Sequence, residues 1–116
     1  MKYETKELTG LALEFATHKA MGTFDVQENG MQGISLVDYI AAGGGYHLDW
    51  ETCGPIISRE RISLLPEYSG IEWDACIKGM NTYDGWEGEH DATGPTAIIA
   101  AMRCFIDAKI GAEVNL

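Results

Sequence analysis

The chain has 116 residues, 46% apolar and 22% charged, with 18 acidic against 8 basic side chains for a formal net charge of −10. That length fits a single domain, residues 1–116, large enough to bury a core without metal or disulfide support. The negative balance repels phosphate backbones and anionic membranes, so neither direct nucleic-acid binding nor membrane association is expected. A basic partner protein remains compatible with such a surface.

The first predicted element is a helix. Thr9 is placed to cap it, Leu8 and Leu13 to staple its entry, and Gly22 to end it in a left-handed conformation. Leu8, Ala12, Phe15, Ala16 and the stem of Lys19 follow helical spacing between them. Asn29-Gly30 is then a two-residue hairpin signal between short polar flanks. "SLVDYIAAGGG" reads either as a short helix capped by Ser35 and ending at Gly43, or as a strand over Leu36–Ile40.

In "DWETCGPIISRERI", Asp49-Trp50 reads as a loop, and "PIISRER" reads either as one helical turn opened by Pro55 or as an extended segment with Ile57, Arg59 and Arg61 on one face. "ISLL" at 62–65 and the alternating "IEWDACIK" at 71–78 form an antiparallel hairpin across "PEYSG". "MNTYDGWEGEHDATG" lacks periodicity and reads as a loop. The last helix takes Pro95 in its first turn, preceded by Gly94 or Thr93, and closes at Gly111. Ile98, Met102, Phe105, Ile106 and Ile110 form its apolar stripe, Ala100, Ala101 and Ala108 allow close approach, and Arg103 and Asp107 mark its polar side. These elements predict an α+β fold: an N-terminal and a C-terminal helix packed on a small, mainly antiparallel sheet.

Four blocks, "ELTGLALEFATHKAMG", "DWETCGPIISRERI", the isolated Trp73-Asp74-Ala75 and "GPTAIIAAMRCFIDAKIGAEV", occur in an order that resembles the NinX-like family of small temperate-phage proteins. The resemblance runs from about Glu7 to Val114. Phe15, Cys53 and Ala97 depart from the residues common in that family, where tryptophan, glycine and proline stand. The resemblance implies a phage accessory protein acting in the host cell cytoplasm. It supplies no catalytic residue.

No residue set carries a recognised catalytic spacing. Cys53 would sit near a helix start, which lowers a thiol pKa, but no flanking signature joins it to His47 or His90. His47-x-Asp49 and Glu87-x-Glu89-His90-Asp91 contain metal-ligand types without a recognised metal motif. Three cysteines, Cys53, Cys76 and Cys104, without a CxxC pair suit free buried thiols in a reducing compartment. The expectation is therefore no catalytic residue, no metal and no cofactor.

What remains is binding. Arg59 and Arg61 form a candidate anion clamp, with Trp50, Tyr46 or Trp86 as stacking surfaces and Asp49 beside them. The plainer alternative places Trp50 over the core and pairs Arg59 with a carboxylate. The expected partner is a small anionic, nucleotide-like host molecule, or a host protein held by the acidic surface. Homo-oligomerisation is also expected if the small sheet leaves an apolar face to share.

Overall fold

The computed structural model describes residues 2–22, 36–41, 48–67, 70–77, 80–82, 85–87 and 90–116. The chain opens with β1 (Lys2–Glu4), a 3-10 turn (Thr5–Glu7) and α1 (Gly10–Ala20), followed by α2 (Leu36–Ala41) and α3 (Trp50–Glu60). Five strands follow: β2 (Ile62–Pro66), β3 (Trp73–Ile77), β4 (Met80–Thr82), β5 (Gly85–Glu87) and β6 (His90–Gly94). α4 (Ala97–Lys109) and β7 (Glu113–Asn115) complete the described elements. The helices pack on antiparallel strands, and the fold is α+β.

α4 is the centre of the molecule. Every residue from Ala100 to Ile106 is buried, because β2, β3 and β6 cover one side of the helix while α1, α3 and the 3-10 turn cover others. A helix enclosed in this way is selected for apolar and small residues around its whole circumference. "AAMRCFI" meets that demand except at Arg103. The sequence placed Arg103 on a polar face, but its side chain is buried, donating from Nε to the Leu8 carbonyl at 2.9 Å and from Nη1 to the Thr93 carbonyl at 2.8 Å. These bonds satisfy donors that burial strips of water. Ile110, expected on the apolar stripe, is instead exposed.

The three-stranded sheet has the order β2-β3-β6, all antiparallel. The hairpin expected across "PEYSG" is present, with Ile62 opposite Ile77 and Pro66 opposite Trp73. Ile62, Ala75, Ile77 and Ala92 face the core, while Asp74 and Asp91 stand on the opposite face, as strand alternation requires. Within the loop expected over residues 80–94, residues 80–82, 85–87 and 90–94 are corrected to strand. β3 pairs with β6, and β4 with β5 continues the same register further out, from Ile77↔His90 to Met80↔Glu87 and Thr82↔Gly85. Cross-strand pairing builds this arm from a segment whose side-chain pattern gives no periodicity.

α1 begins after Thr9 as expected, but the threonine side chain makes no capping bond. Gly22 has the left-handed φ of 80° predicted for the end of this helix. The open choice over residues 35–42 resolves to helix in α2, whereas Asn29-Gly30 lies outside the described residues. α4 starts two residues later than expected, with the Thr96 hydroxyl accepting from the Ile99 amide at 3.1 Å and Pro95 outside the helix.

One pairing had no signal in the sequence. β1 and β7 form an antiparallel ladder, Lys2↔Asn115 to Glu4↔Glu113, with Val114 buried beneath it.

Candidate functional site

"DWETCGPIISRERI" folds as helix almost throughout, correcting both the loop expected at Asp49-Trp50 and the start expected at Pro55. Asp49 is the cap: its Oδ1 accepts from the Thr52 amide at 2.9 Å, starting α3 at Trp50. Pro55 lies inside the helix, where its ring removes one amide donor. The helix ends at Arg61, which takes a left-handed conformation (φ 54°, ψ 48°) and turns the chain into β2.

This folding separates the expected clamp from its stacking surface. Trp50 and Arg59 stand nine residues apart in α3. At helical pitch that is about 13 Å along the axis and half a turn around it, so the two side chains leave opposite sides. Arg59 pairs instead with Glu60 at 3.1 Å, and Lys109 of α4 reaches the other Glu60 oxygen at 3.1 Å. Burial would raise the Glu60 pKa, but hydrogen bonds and charge from Lys109 and Arg59 outweigh it and hold the carboxyl below its ordinary value. Arg61 is exposed at the helix end. Tyr46 lies outside the described residues, and for Trp86 the structure describes its backbone, paired with Asn81.

Trp50 takes part in a different arrangement. It lines a groove of about 560 Å³ with Gly10, Leu13, Glu14, Leu48 and the Thr96–Ile99 turn. The first turns of α1, α3 and α4 therefore open onto one depression. First-turn amides have no intrahelical acceptor and carry the positive end of the helix dipole. The caps satisfy Thr52 and Ile99 only. Glu14 is the wall's carboxylate, and the Tyr39 hydroxyl donates to its Oε1 at 3.0 Å. Trp50 is 58% exposed beside this wall, an arrangement that leaves aromatic surface available. Its place at the groove was not legible in the sequence, because the other walls come from residues 10–14 and 96–99.

The thiols are placed against reactivity. Cys53 is inside α3 and fully buried, and burial, with the nearby Asp49 charge, pushes its pKa up to about 11. This reverses the expected lowering at a helix start, because desolvation penalises the thiolate. Burial likewise pushes Cys104 up to about 12, and all three cysteines are free and buried. His47 and Glu89 of the loose ligand clusters lie outside the described residues; among the described residues no three His, Cys, Asp or Glu side chains gather as a metal site. No helix among the described residues is long and apolar enough to cross a membrane.

A comparison with curated proteins finds no match. The family described as "Bacteriophage P22, NinX" matches residues 4–109, covering every helix among the described residues and the whole three-stranded sheet. The chain belongs to this phage NinX family.

Proposed function

We propose that this phage protein acts by binding, taking a small ligand with a planar ring and an anionic group into the groove beside Trp50. The observation that carries the reading is the exposed indole on the wall of a groove of about 560 Å³. Stacking on an aromatic face suits a nucleobase, and it contributes about 1–3 kcal/mol per base in single-strand binding sites. Open amides in the first turns of α1 and α4 supply donors for a phosphate or carboxylate. Glu14 directs that anionic group toward the α4 side of the groove. In the host cytoplasm such a protein would sequester a nucleotide-like molecule, a counter-defence role. Arg59 and Arg61 stay outside this groove and would act only on a ligand extending along α3.

Calorimetry against mononucleotides and cyclic nucleotides tests the reading, with Trp50 fluorescence as a second signal. Binding should weaken at least about tenfold in Trp50→Ala while Arg59→Ala binds as the parent protein does. Failure of every nucleotide to bind, or full binding by Trp50→Ala, overturns it.

A second reading rests on the outer sheet face. Leu65, Asp74 and Asp91 line a depression of about 380 Å³ there, with exposed Glu72 nearby in the chain. A hydrogen bond that the protonated Glu67 carboxyl donates to Asp74, then burial and the charges of Asp74 and Glu72, push the Glu67 pKa above its ordinary value. Such crowded acidity fits a basic segment of a host protein. Capture from host lysate that is lost at high salt supports this alternative, and capture insensitive to salt removes it.

A further inference from the structure

The three-stranded sheet ends on β2, and among the described residues no strand pairs with the outer edge of β2. The Glu67 amide donates to the Glu72 carbonyl at 2.8 Å, and these two residues continue the β2–β3 register by one step. Hydrogen-bonded pairs alternate along an antiparallel ladder, so Leu65↔Asp74 and Ser63↔Cys76 exchange their bonds as well. The backbone groups of Ile62, Leu64 and Pro66 consequently point away from β3. Pro66 has no N–H to leave open there, and an outward-facing edge position is where a strand tolerates proline.

This edge is uncharged from Ile62 to Pro66 and lies between Arg61 and Glu67. Laid antiparallel against itself about a two-fold axis at Leu64, it meets its own complement. Leu64 then comes opposite Leu64 of the second copy, Ile62 opposite Pro66, and Arg61 opposite Glu67 at both ends. Each Leu64 amide can donate to the opposite Leu64 carbonyl, and each Ile62 amide to the opposite Pro66 carbonyl. A shift of two residues in either direction takes Arg61 off Glu67, so charge selects this register.

The side chains agree with this pairing. Ile62 and Leu64 pack on the core side, so Ser63, Leu65 and Glu67 stand on the other face. There Leu65, 44% exposed, would lie diagonally across from Leu65 of the second copy, within reach of it. Among the described residues no carboxylate lies within 4.0 Å of Arg61, whereas Glu67 is crowded by the charges of Asp74 and Glu72 in its own chain. The arginine of a second copy supplies the opposite charge that each end of the edge lacks. We propose that β2 is a self-pairing edge, joining two copies of this chain into one continuous sheet through the match of Arg61 with Glu67. None of these residues lines the groove beside Trp50, so pairing and ligand binding are separable.

One short edge and two surface ion pairs make a small interface of modest affinity, so sedimentation equilibrium over about 10–500 µM is the test. The parent protein should pass from monomer to dimer across that range. Arg61→Glu and Glu67→Arg each set like charges against one another at both ends, so either variant alone should associate at least about tenfold more weakly. Mixed one to one, the two variants again place opposite charges across the edge and should form a heterodimer, which also shows that both are folded. The proposal is overturned if the parent stays monomeric at about 500 µM, if the single variants dimerise as the parent does, or if their mixture stays monomeric.

Discussion

At Gly94, the last residue of β6 passes so close to α4 that a β-carbon would meet the Ala100 amide nitrogen at 2.8 Å and Ile99 Cγ2 at 2.9 Å. The first contact is with helix backbone, which cannot rotate aside. Gly94→Ala should therefore destabilise the protein by about 1–3 kcal/mol, measured by urea unfolding. The sequence offered this glycine only as a helix-preceding residue, since its neighbour across the gap is a tertiary fact. Arg103 was misplaced for the same reason: a charged residue in an apolar run reads as a surface mark until the carbonyls of Leu8 and Thr93 are seen to receive it. Local spacing groups Trp50 with Arg59, and helix geometry parts them, so the sequence could not show which residues stand beside the indole.

Among the elements, those with a period or a cap were legible and those made by pairing were not. α1, α4 and the β2–β3 hairpin announce themselves through Gly22, the "AIIAAMRCFI" run and the alternation around Ala75. β4, β5 and β7 are short strands whose partners, not their own residues, define them. α3 was half read, because Pro55 drew the start away from the stronger Asp49 cap. Its far end carries a testable link. Glu60 joins the last turns of α3 and α4 through Lys109 at 3.1 Å, with its carboxyl pKa held below the ordinary value. A depressed carboxyl contributes stability above its unfolded pKa and loses it as pH falls through the folded value. The stability difference between the parent and Glu60→Gln should thus be present at pH 7 and vanish through the acid range, read by thermal unfolding at each pH.

For the whole molecule, the order of the predicted elements rightly announced the α+β class, and four sequence blocks pointed to the NinX family that residues 4–109 match. Neither composition nor blocks could reveal that the middle of the structure is its second-to-last element. α1, α3 and the three-stranded sheet all rest on α4, and β1 waits for β7. Cooperativity follows: without residues 97–115 the earlier elements have apolar faces and nothing to place against them.

That arrangement has a consequence for how the protein is made. A ribosome delivers Lys2 long before Asn115, the two ends of the ladder that closes the fold. Until residues 97–115 emerge, the nascent chain holds the shell of a structure whose axis is still unmade, so the fold cannot close before they do. Ribosome-bound chains halted before Ala97 clears the exit tunnel should be cut rapidly by added protease, and chains extended by a linker past Leu116 should resist it. Early protection would mean that the sheet can stand without its central helix.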